Sequence, residues 1–132
     1  DCMTRGDPAE QAVLRLEARR FASHCDGRLA LIQRADTLRE LSRLSRISLP
    51  YRLSEDFASR DAQGRVATAA EQRAREIIHE QIQHYMRAEA EQQDKLGRQI
   101  VEDWANLSGT LGHLRSWASG KLLAAQQIKP LL

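Results

Sequence analysis

The chain has 132 residues, with 20 Lys and Arg against 18 Asp and Glu, 29% charged and 42% hydrophobic. That is enough chain for one domain around one core, and too rich in apolar residues for a disordered segment. A net charge of +2 gives no ground for a nucleic-acid partner. The apolar run at the centre of the first half, Leu29–Ile32, is far below the ~20 residues that span a bilayer.

Residues 1–7 read as an N-terminal tail on a single domain covering 1–132. A chain that opens on Asp1 rather than methionine fits a processed, exported protein. Cys2 and Cys25 are its two cysteines. A bridge between them would tie down the first segment, worth roughly 3 kcal/mol in the chain-entropy model, and would imply an oxidising compartment such as the periplasm or the exterior. Two unpaired thiols in a cytosolic protein are the alternative.

Asp7-Pro8 marks a helix start, with Asp7 at the N-cap and Pro8 at N1. Ala12, Val13, Leu16, Ala18, Phe21 and Ala22 give that helix an apolar face, and Asp26-Gly27 ends it with a turn. A central helix then runs from His24 to about Ile47, with Leu31, Ile32, Ala35, Leu38, Leu41 and Leu44 at three- and four-residue steps. Arg28 and Arg39, eleven residues apart, share a face of that helix and are separated by about 16 Å along its axis. The gap between them, floored by Ala35, suits a compact dianion held at both ends. The bland alternative is two arginines on a solvated edge. Pro50 stops the helix.

Ser59–Gln63 with Gly64 reads as a connecting loop. From Val66 to Trp104 the residues are nearly all strong helix formers, with Ala70, Ala74, Ile77, Ile78, Ile82, Tyr85, Met86 and Ala90 as the apolar face. Thirty-nine residues is long for one globular helix, so a break is expected near Gly97. Asn106-Leu-Ser-Gly caps a last helix from Thr110 to about Gln127, carrying Leu111, Leu114, Trp117, Leu122 and Leu123. No strand pattern occurs. The fold class is all-α, with three to four main helices.

Little in the chain offers chemistry. Glu76-Ile-Ile-His79 has the Glu-x-x-His form of di-iron bundles but lacks the second copy they require, so it reads as an exposed polar face and no metal is expected. No glycine loop cradles phosphate, and no serine or cysteine stands in a nucleophile context. What remains is charge placed where helices face one another: Arg28, Arg39, Arg52 after the Ile47-Ser-Leu-Pro-Tyr turn, Glu89 one turn past Tyr85, and Lys121 before Leu122-Leu123.

Arg28-Leu-Ala-Leu-Ile, then Arg39, then Ile47 followed by Arg52 resembles the helix and following turn of the all-α chorismate mutases, most closely their exported single-domain subclass. His79-Glu-Gln-Ile82 followed by Glu89 is similar to the family helix whose later Glu or Gln faces the substrate ether oxygen. Asn106-Leu-Ser, Leu114 and Lys121-Leu-Leu-Ala-Ala are similar to its last helix. The resemblance covers about residues 26–125. It departs from the pattern at three places: Arg39 stands where the family has a catalytic lysine, Glu40 where an aromatic is frequent, and Leu49 where the turn carries an acid.

The resemblance implies an isomerase of the shikimate pathway, serving aromatic amino-acid biosynthesis, that folds chorismate into a near-attack conformer and stabilises the charge growing on the breaking ether oxygen. No cofactor is needed. Arg28 and Lys121 would bind one carboxylate and Arg52 the ring side. Arg39 would donate to the ether oxygen. A protonated Glu89, beside Tyr85, would do so from the opposite wall, and Glu55 or Asp56 would take the substrate hydroxyl. The family is commonly dimeric, so a homodimer is expected, with neither nucleic acid nor membrane as partner. Two alternatives stand beside this: an isochorismate-pyruvate-lyase-like or inactive relative, and a non-enzymatic helical module whose arginines line a protein-binding groove.

Overall fold

The computed structural model describes residues 7–128. Among them are five α-helices, two short 3-10 turns and no strand. The helices are α1 (Pro8–Arg34), α2 (Leu38–Ser45), α3 (Phe57–Arg87), α4 (Ala90–Trp104) and α5 (Leu114–Ile128).

The N-cap expected at Asp7 is present. Its carboxylate accepts from the backbone N–H of Glu10 at 2.8 Å, and Pro8 opens the first turn. The turn expected at Asp26-Gly27 is absent, because α1 runs straight through it for 27 residues. Phe21, Cys25 and Ile32 are buried, and at ~100° per residue they fall within about 40° of one another around the axis. Burial of that stripe outweighs the helix cost of one glycine, about 1 kcal/mol against alanine. Cys25 is 1% exposed. Burial pushes its thiol pKa up, the adjacent Asp26 charge adds to the rise, and Arg65 opposes it. Cys2 lies outside the described residues, and so does the bridge expected of it.

The central helix expected from His24 to Ile47 is two helices meeting at a corner. Ala35 and Thr37 are extended, the Thr37 hydroxyl caps α2 by accepting from the N–H of Glu40 at 3.1 Å, and α2 begins at Leu38. Thr37-Leu-Arg-Glu40 has the spacing of a capping box. Arg73 on α3 fastens the corner: its Nε donates to the carbonyl of Ala35 at 3.0 Å, and its guanidinium meets Asp36 at 3.6 Å and Glu76 at 3.1 Å. α2 ends at Ser45, five residues before Pro50, and a 3-10 turn at Tyr51–Leu53 buries Leu53.

Asp56 then caps α3, accepting from the N–H of Ser59 at 3.2 Å and from its hydroxyl. The loop expected at Ser59–Gly64 is the first part of this helix. Ser59, Ala62, Val66, Ala70 and Ala74 are all buried and follow one another at three- and four-residue steps, so polar composition there marks the outer face of a helix. Small residues along that stripe let other helices approach closely, and α3 is the element that every other helix touches.

α3 stops at Arg87, eight residues before the α4 residue Lys95, and Ala88 and Glu89 are extended. The break therefore falls before Gly97, which is inside α4. A methyl group at Gly97 would sit 3.4 Å from the Tyr85 ring, so its small size lets α4 lie against α3. Gln81 locks the same pair of helices: it donates to Asp103 at 2.7 Å and accepts from the Trp104 indole at 2.9 Å. Gly109, with φ +59°, turns the chain into the second 3-10 turn, Gly109–Leu111. The last helix starts at Leu114, after the expected Thr110, and buries Leu114, Ala118, Leu122 and Ala125. Among the described residues no helix is long and apolar enough to cross a membrane.

Candidate functional site

The five polar residues expected to converge sit on different parts of the fold, and none of the clefts described below is lined by two of them. Arg28 is half-buried on α1, while Arg39 is exposed on α2. The corner at residues 35–37 ends the shared helix axis on which their eleven-residue register depended. Arg52 is exposed on the first 3-10 turn and lines a cleft of ≈ 540 Å³ with Glu10, Val13, Leu14, Tyr51 and Glu55. Asp56 is committed to capping α3. Glu89 is exposed between α3 and α4. Tyr85 is buried, and its hydroxyl accepts from Gln126 at 3.4 Å. Lys121 is exposed on α5 with its ammonium 5.9 Å from the centre of the Trp117 ring, whose neighbourhood also holds the Arg75 guanidinium at 4.5 Å.

Arg39 keeps a place in a site, with different company. It lines a cleft of ≈ 520 Å³ between α2 and the loop after α4, together with Thr37, Glu40, Ser42, Arg43, Arg46, Asn106 and Ser108. Arg39, Arg43 and Arg46 lie within about 60° around the helix at ~100° per residue. Arg39 and Arg46 are separated by roughly 10 Å of rise. Leu38, Leu41 and Leu44 are buried on the opposite face of α2, which fixes the arginine face outward.

The cleft has a positive balance. Three guanidiniums face one lining carboxylate, Glu40. None of the three forms an ion pair among the described residues, whereas Arg65, Arg73 and Arg75 all do. Like charges at i and i+4, as for Arg39 and Arg43, cost about 0.2–0.5 kcal/mol on a helix, and an anion bound between them would remove that cost. One cation is fixed: Arg46 Nη2 donates to the Ser108 hydroxyl at 2.7 Å. The backbone N–H of Ser108 donates to the buried Ser42 hydroxyl at 3.3 Å, which ties the two walls together.

Arg43, Arg46, Ser42, Asn106 and Ser108 were not among the residues expected from sequence. The signal for the arginines was present as the i, i+4, i+7 spacing of residues 39, 43 and 46. The serines and Asn106 enter only through the fold, since the 105–108 loop is more than sixty residues from α2 in the chain.

Two other features have weaker claims. The largest groove, ≈ 990 Å³, runs along the start of α3 past Phe57, Gln63, Gly64 and Thr68. Its Arg65 is paired with Asp61 at 3.2 Å, so its charge is partly answered within the protein. Glu76 and His79 engage Arg73 and Gln83, respectively, and no group of three or more metal-ligating side chains occurs among the described residues. Comparison with family models, with characterised proteins and with solved structures returns no match for this chain.

Proposed function

We propose that the chain binds a compact dicarboxylate in the Arg39–Arg43–Arg46 cleft. The observation that carries this is the set of three guanidiniums along α2 and its C-cap, Arg46, without a carboxylate partner among the described residues. The outer two are separated by roughly 10 Å of helix rise, and Arg43 lies between them in the chain. Guanidinium forks match carboxylates in a bidentate geometry that an ammonium lacks.

Chorismate is a dicarboxylate, and the isomerase role implied by the resemblance to chorismate mutases is the catalytic form of this proposal. In that form Arg39 and Arg46 hold the two carboxylates, and Arg43 donates to the ether oxygen as it gains charge. The exposure of all three arginines favours a second form, binding without turnover, because donors in contact with water stabilise a developing charge far less than donors in a dry site. Export, a homodimer and the Cys2–Cys25 bridge belong to the catalytic form.

One experiment separates the two. Chorismate is titrated into the protein by calorimetry, and its absorbance is followed over the same concentrations. Binding with loss of chorismate and appearance of prephenate supports the isomerase. Binding without consumption supports a carrier or sensor domain. No heat of binding, or equal binding by wild type and Arg43→Ala, sinks both.

A further inference from the structure

Ser42 is 3% exposed and lines the arginine cleft. A serine hydroxyl has two acceptor lone pairs and one hydrogen. One lone pair is used by the backbone N–H of Ser108 at 3.3 Å. The hydrogen has no acceptor among the described residues, although serines inside helices commonly give it to the carbonyl four residues back. The neighbouring serine differs: the Ser45 hydroxyl, also buried, donates to the carbonyl of Ser42 at 3.0 Å. A buried donor left unmatched costs free energy, so a partner for it is expected.

The space open to it for a partner is the cleft that Ser42 lines. Neither the Glu40 carboxylate nor the Ser108 hydroxyl, which accepts from Arg46, takes a hydrogen bond from Ser42 among the described residues, and Arg39 and Arg43 carry donors only. A hydroxyl with a free hydrogen in the same lining as three guanidiniums suits an oxygen that accepts. We infer that Ser42 is a ligand-contacting residue, whose hydroxyl donates to a carboxylate oxygen of the bound dicarboxylate beside Arg43 and Arg46. Such a contact adds a directional donor to a surface whose charge is mainly cationic. It rests on the dicarboxylate reading of the same cleft.

The test uses succinate as the probe, titrated by NMR chemical-shift changes into the wild type, Arg43→Ala, Ser42→Ala and Ser42→Thr, with thermal melting of each. Ser42→Ala is expected to weaken succinate binding about tenfold or more, the scale for losing a hydrogen bond to a charged acceptor. Ser42→Thr, which keeps both the lone pair and the hydrogen, is expected to restore most of it. If wild type binds, Arg43→Ala weakens binding and Ser42→Ala binds as the wild type does, the hydroxyl is idle and the inference fails while the cleft stands. If Ser42→Ala weakens binding only together with a large fall in melting temperature, and its affinity returns to the wild-type value at a temperature where the variant is fully folded, the role is structural and the inference fails. If wild type shows no saturable shift near Arg39, Arg43 and Arg46, the cleft reading fails and takes the inference with it.

Discussion

Replacing Gly27 by alanine tests the least expected feature of the fold, the passage of α1 through Asp26-Gly27. A glycine in a tight turn takes positive φ, and a methyl group there costs roughly 1–2 kcal/mol. A glycine inside a helix is a liability, and alanine gains about 0.5–1 kcal/mol through helix propensity and reduced freedom of the unfolded chain. Gly27 is helical, and a methyl built on it meets nothing within 4 Å. Gly27→Ala should therefore stabilise the protein by ~1 kcal/mol, with no packing penalty to subtract. For a domain of this size that is a rise in Tm of about 3–5 °C. Gly109 supplies the opposite sign: its φ is +59°, so Gly109→Ala should destabilise by ~1–2 kcal/mol. Both are read by urea unfolding followed by circular dichroism at 222 nm. A fall in stability for Gly27→Ala would mean that Asp26-Gly27 is a turn and that α1 is two helices.

Gln81→Leu leaves the indole N–H of Trp104, 3% exposed, without its acceptor, and should cost about 1–3 kcal/mol, measured by denaturant unfolding with tryptophan fluorescence. Glu71 has its carboxyl pKa held below the ordinary value of 4.5, first by the hydrogen bond to His113 and then by that to Arg75. Its folded pKa is depressed, so its contribution to stability is complete above about pH 4.5 and is lost as pH falls through the lower folded value. Glu71→Gln should accordingly reduce stability at pH 7 and flatten that part of the acid limb, with no change in the difference below both values. Cys25, buried with a raised thiol pKa, should resist iodoacetamide in the native protein and react on unfolding. Resistance in urea before reduction, together with a mass two hydrogens below the dithiol form, would instead report the Cys2–Cys25 bridge.

What was legible in the sequence was periodicity, and what was lost was where the axis bends. The all-α class, the Asp7 cap and the apolar faces of α3 and α5 follow from spacing alone, since three- and four-residue steps place side chains on one side whatever the neighbours are. Corners are decided by cheaper and more local events. Thr37 and Glu40 carry a capping signal, yet Ala35, Leu38 and Leu41 continue the apolar period across it, and both patterns are satisfied because Ala35, Leu38 and Leu41 are buried on either side of the bend. The reverse holds at Gly27 and at Arg60, Asp61 and Gly64, where polar and turn-forming residues sit on the solvent side of helices whose other faces are buried against the core. The site inherits this ambiguity. A pair of arginines eleven residues apart has meaning only on a straight helix, so one corner removes Arg28 from Arg39. The same corner gives α2 its own direction and leaves Arg39, Arg43 and Arg46 as a short row against the loop that carries Ser108. A charge cluster spanning eight residues survives errors in boundary placement that a cluster running from residue 28 to residue 121 does not. Arg39 is therefore a member of the expected constellation that the fold places beside other cations without an ion pair among the described residues.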